Sequence, residues 1–153
     1  MPTRDATFAL VAATSVVLAL GGCNALADEL SGGEDSARAA AAVEEALVAA
    51  LPDAEGVDTR SNKSGFSQVL GVTVTWPAGS PLDAGTVRTG VTTLCESLRD
   101  HDSASLAFVQ EPDGLVDLTA SWPAAFPDGP DVLDNDGAGV TLYESDCEQV
   151  TGA

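Results

Sequence analysis

The clearest pattern in the chain is a strict alternation across residues 66–76, where Leu70, Val72, Val74 and Trp76 interleave with Gly71, Thr73 and Thr75. A period of two puts one set on a buried face and the other on a polar face, which predicts a β-strand. Ahead of it, Ala39, Val43, Leu47, Ala50 and Leu51 share a stripe at helical spacing over residues 36–51. Asp35 or Ser36 can cap that helix and Pro52 stops it. A weaker strand at 57–61 and a turn through Asn62-Lys63-Ser64-Gly65 fill the gap. Beyond the strand, Ser80-Pro81-Leu82-Asp83 supplies a serine cap, a first-turn proline and an acid at the positive helix end. Val87, Val91, Leu94, Cys95 and Leu98 then form the stripe of a second helix. Two further strands are expected at 105–110 and 115–122, joined by the turn Glu111-Pro112-Asp113-Gly114. A short strand at Gly139–Tyr143 adds to the sheet edge.

Laid side by side, the halves read as one unit used twice. Val72-Thr73-Val74-Thr75-Trp76-Pro77-Ala78 matches Leu118-Thr119-Ala120-Ser121-Trp122-Pro123-Ala124 at an offset of 46, and Leu47 and Leu51 match Leu94 and Leu98 at 47. The expected fold is α+β: a duplicated helix-strand-strand unit giving a four- to five-stranded, mainly antiparallel sheet with two helices on one face. The repeats cover residues 36–78 and 80–124, related by an approximate two-fold axis, and 125–153 is a C-terminal extension. Trp76 and Trp122 become core residues at corresponding sheet ends. In topology alone this order resembles BON domains of bacterial envelopes, and no residue roles follow from that.

The amino-terminal segment changes the setting. After Met1-Pro2-Thr3-Arg4-Asp5 comes an apolar run over residues 6–20, then Gly21-Gly22-Cys23. Fifteen residues fall short of the roughly 18 to 20 that cross a bilayer, so residues 1–22 read as a cleaved signal peptide. Leu20-Gly21-Gly22-Cys23 resembles the lipobox of bacterial lipoproteins: a leucine three positions before an obligatory cysteine, with small residues between them. The resemblance implies cleavage before Cys23, a thioether-linked diacylglycerol on its sulfur and often an acyl chain such as palmitate on its amino group. At about 0.8 kcal/mol per buried methylene, two or more such chains hold a protein on a membrane. Residues 23–35 are then a lipidated cysteine with a flexible tether, and the domain stands on the extracytoplasmic face of the cell membrane. No twin arginine is present, which favours general secretion. High alanine, abundant acid and a single lysine resemble proteins of high-GC actinobacteria, or of a salt-adapted organism; an actinobacterial lipoprotein family is the expectation.

Composition then removes some partners. With 24 Asp and Glu against 6 Lys and Arg, the net charge is −18. Nucleic acid is excluded, because phosphate binding needs a basic stripe, and so is a polybasic grip on anionic lipid. A 44% hydrophobic content still supports a packed core.

Candidate chemistry is sparse. With Cys23 assigned to lipid, Cys95 and Cys147 remain as a disulfide pair suited to an exported protein. Asp128, Asp131, Asp134 and Asp136 make an oxygen-rich loop of weak metal-binding character. The EF-hand spacing fails there, since Val132 and Tyr143 would fall on its first and twelfth positions. His101, in Asp100-His101-Asp102, sits where the second helix ends, a position that favours its protonated form. Asn62-Lys63-Ser64 fits a glycosylation sequon of little meaning in a bacterial protein. No nucleophile elbow, phosphate loop, zinc-protease or Cys-x-x-Cys motif occurs, so no cofactor or catalytic residue is assigned. The expected function is a non-enzymatic binding or interaction module, anchored to the membrane by lipid and serving an envelope protein partner. The alternative is a divalent-cation-binding or cell-wall-associated accessory protein, with a hydrolase third.

Overall fold

The structure, a computed structural model, describes residues 23–98, 101–134 and 136–152. Leu20, Gly21 and Gly22 lie outside the described residues. In chain order the elements are α1 (Cys23–Ala50), β1 (Gly56–Ser64), β2 (Ser67–Thr75), α2 (Ala84–Ser97), β3 (Ser103–Gln110), β4 (Gly114–Leu115), α3 (Trp122–Ala125), β5 (Gly139–Tyr143) and α4 (Glu144–Thr151). They form an α+β fold. The sheet runs β1-β2-β3, with β4 and β5 both pairing β3. Every pairing is antiparallel except β2 with β3.

The alternation in β2 does what its period requires. Leu70, Val72, Val74 and Trp76 are buried, and across the parallel register Leu70, Val72 and Val74 stand opposite Ala104, Leu106 and Phe108 of β3. These residues join Val43 and Leu47 of α1, Val87, Val91 and Leu94 of α2, and Val140 and Leu142 of β5 in one core. Helices α1, α3 and α4 each contact α2, so the helical layer collects on that face. The other face presents Gly71, Thr73, Thr75, Ser105 and Ala107, all half-buried.

Several boundaries differ from the sequence expectation. The segment expected to be a flexible tether, 24–35, is helical, and α1 starts at Cys23. Ala25, Leu26, Ala27, Glu29 and Leu30 are strong helix formers. Gly32 and Gly33 cost about 1 kcal/mol each relative to alanine, yet propagation from the packed C-terminal half carries the helix through them. The turn between β1 and β2 is Gly65-Phe66, not Asn62 to Gly65, because Ser64 pairs with Ser67. Gly65 has φ 65°, the positive angle a two-residue hairpin needs at its first central position. Phe66 stands fully exposed at the tip.

Helix α2 is capped by Asp83, not Ser80: the Asp83 carboxylate accepts from the Thr86 N–H at 2.8 Å. That bond, followed by the one from the Thr86 hydroxyl, holds the Asp83 carboxyl below its ordinary value. A depressed folded-state pKa stabilises the fold above the ordinary carboxylate value and loses that contribution as pH falls through the depressed one. Asp83→Asn keeps a good cap without a titrating group. In urea denaturation below about pH 4, the variant should therefore lose less stability on acidification than the wild type; equal slopes would contradict the assignment.

The largest correction concerns the second repeat. The expected strand at 115–122 is strand only at β4. Trp122 N–H donates to the Leu118 carbonyl at 2.8 Å and α3 begins at Trp122. A spacing of four, Leu118 to Trp122, satisfies both a strand face and a helix turn, and Pro123 fits the first turn of a helix. The order helix-strand-strand does recur as α2-β3-β4, with a second return strand of two residues. No two-fold axis normal to the sheet relates the units: in the order β1-β2-β3-β4, exchanging β1 with β3 would centre it on β2 and exchanging β2 with β4 would centre it on β3. Both tryptophans are buried. The Trp122 indole donates to the Pro130 carbonyl at 3.2 Å, whereas the buried Trp76 indole N–H has no partner among the described residues.

Candidate functional site

The disulfide is formed. Cys95 on α2 and Cys147 on α4 are bridged, with Cα atoms 5.1 Å apart. The bridge fastens α4 to α2. Cys147 is the buried residue of α4, whose first turn carries Glu144 and Asp146.

Beside this bridge lies a hollow of about 460 Å³ lined by His101, Asp102, Glu144 and Glu148 among others. His101 Nε2 lies 3.0 Å from Ser61 Oγ on β1, a contact between residues 40 apart that the linear sequence does not signal. A hydroxyl beside an imidazole is the smallest unit of nucleophilic catalysis. Acyl transfer also requires donors converging on the oxyanion, and the pair by itself supplies none. Asp102 is engaged elsewhere, accepting from the Gln68 N–H at 2.7 Å. In this fold Ser61 and His101 tie β1 to the segment joining α2 and β3.

The four loop acids are not brought together. Asp134 accepts from the Thr141 hydroxyl at 3.3 Å and Asp136 from the Ala138 N–H at 3.1 Å, so both carboxylates serve to fold their own loop. Among the described residues no three of His, Cys, Asp and Glu cluster as a metal site.

A concavity runs between α1 and β1. This groove, about 550 Å³, is lined by Ala37, Ala41 and Glu44 on the helix and by Thr59, Ser61 and Lys63 on the strand, among others. The amphipathic register of α1 explains it: Ala40, Val43 and Leu47 turn into the core, which leaves Ala37 and Ala41 on an adjoining face beside the strand. Two polar contacts fix the walls. Ser36 Oγ donates to Gln68 Oε1 at 3.0 Å, and the Thr59 hydroxyl donates to Glu44 at 3.0 Å. The sequence reading passed over this groove, since β1 carries a weak strand signal and its residues resemble an ordinary solvated face.

Among the described residues no helix is long and apolar enough to cross a membrane. No protein-family model, curated protein or solved structure matches the chain.

Proposed function

We propose that the chain is an extracytoplasmic lipoprotein, anchored to the cell membrane through acyl chains on Cys23, that presents its α+β domain as a non-enzymatic binding module for an envelope protein. The observation that carries this reading is Leu20-Gly21-Gly22-Cys23 placed directly after an apolar run of signal-peptide length. The disulfide supports it. Of three cysteines, two are bridged to each other, which suits an oxidising compartment and leaves Cys23 for lipid. The course of α1 fits as well. From Gly33 on, Ala40 is the first residue that α1 buries, and at 1.5 Å per residue the helix from Cys23 to Ala40 spans about 25 Å. An arm of that length holds the body of a chain of net charge −18 away from anionic head groups that would repel it.

Metabolic labelling with an alkyne analogue of palmitate tests the anchor. The wild-type chain should take up label and Cys23→Ala should take up none. An unlabelled wild type would overturn the proposal.

A further inference from the structure

We infer that the open edge of β1 accepts an extended peptide segment by strand addition, with a carboxylate of that segment against Lys63. The inference rests on the binding-module reading and names the surface and the partner chemistry.

The two edges of the sheet are treated differently. On the far side β5 is covered: Leu133 bridges to Val140, the Thr141 N–H donates to the Val132 carbonyl at 3.2 Å and the Asp134 N–H to the Gly139 carbonyl at 2.9 Å. Strand β4, beside it, has two residues. On the near side β1 is nine residues long and pairs with β2 alone. Among the described residues, no backbone bond joins β1 to any segment but β2. Alternate residues of an antiparallel strand direct both backbone groups away from their partner, so this edge is an unfilled template for another strand.

The groove gives an added strand a second wall. From Thr59 to Lys63 it accommodates a segment of about five residues, whose inward side chains meet Ala37 and Ala41. The bonds from Ser36 of α1 to Gln68 of β2 and from Thr59 of β1 to Glu44 of α1 fix helix against sheet in advance, which lowers the ordering cost of binding.

Charge selects the occupant. Strand β1 holds Arg60 and Lys63 against Asp58, a net positive strand in a chain of −18. Arg60 is paired with Asp58 at 3.0 Å and Glu44 is engaged by Thr59. Lys63, the chain's single lysine, makes no ion pair among the described residues. The groove's two charged side chains are Glu44, beside Thr59, and Lys63, four residues further along the strand, so a carboxylate of the occupant belongs at the Lys63 end. A second copy is a poor occupant, since two chains of −18 repel.

The test uses the full chain, isotope-labelled and held in detergent, with two synthetic five-residue peptides blocked at both ends. One is Glu-Val-Thr-Val-Thr, and the other carries lysine in place of the glutamate. The glutamate peptide should shift the amide resonances of residues 57–63 and bind more tightly than the lysine peptide by about two- to fivefold, the range of an exposed ion pair. Lys63→Glu, at an exposed position, should reverse that preference. Equal binding of both peptides, shifts confined to other elements, or no shift at millimolar peptide would each overturn the inference. Lipid on Cys23 does not enter this readout, so failure here and failure of the anchor are separate results.

Discussion

Removing the Cys95–Cys147 bridge should lower the stability of the domain by roughly 4 kcal/mol, the chain-entropy value for a loop of this length. The bridge closes a sequence separation of 52 residues and joins α2 to α4. Helix α4 has eight residues, and Cys147 is the one it buries. Beside Cys147, α4 offers the core only half-buried Val150. In Cys95→Ala/Cys147→Ala, thermal unfolding should come about 10 to 20 °C lower. Amide exchange in α4 should rise well before exchange in β2 and β3. A double variant that melts within a few degrees of wild type would show that the C-terminal helix is held by packing alone.

Phe108→Ala should cost a comparable amount, about 3 to 5 kcal/mol, which is a large share of the 5 to 15 kcal/mol that stabilises a typical domain. Phe108 is fully buried and the largest of the fully buried side chains. It stands on β3 opposite Val74 of β2 and reaches the backbone of α2 at Gly90. A Cβ added at Gly90 would lie 3.2 Å from Phe108 Cζ and 3.5 Å from Leu51 Cδ1. Glycine at this helix position is therefore a packing requirement set by the ring. The two sites should couple: Gly90→Ala destabilises the wild type by overpacking, but should be tolerated or favourable once Phe108 is alanine. Urea denaturation of the two single variants and the double variant checks this. Strict additivity would contradict the packing described.

The parts of this architecture that were legible in the sequence are those in which one period dominates. Leu70 to Trp76 alternates without interruption, and β2 lies there with its apolar set in the core. The stripe of α2 and the strand β5 were equally plain. What misled was ambiguity of period. Leu118 and Trp122, four apart, fit a strand and a helical turn alike, and the likeness to the Trp76-Pro77 end of β2 favoured the wrong one. Short-range likeness between 72–78 and 118–124 thus spans two different backbone paths, because the first stretch has neighbouring strands on both sides and the second folds back on Leu118. The tether at 24–35 was misread because Gly32-Gly33 signals a break locally, while helix continuity is decided by the packed segment that follows. The disulfide could be found by counting cysteines once Cys23 was set aside. The Ser61–His101 contact and the α1–β1 groove could not, since both arise from segments brought together only by the sheet.

The central claim is that this acidic domain is a head on a lipid anchor, and the intact mass of the protein extracted from membranes without reduction tests it most directly. The expected mass is that of a chain that begins at Cys23, carries diacylglycerol with or without a further acyl chain, and is lighter by two hydrogens for the Cys95–Cys147 bridge. A mass matching an unmodified Cys23, or a chain beginning elsewhere, would contradict it.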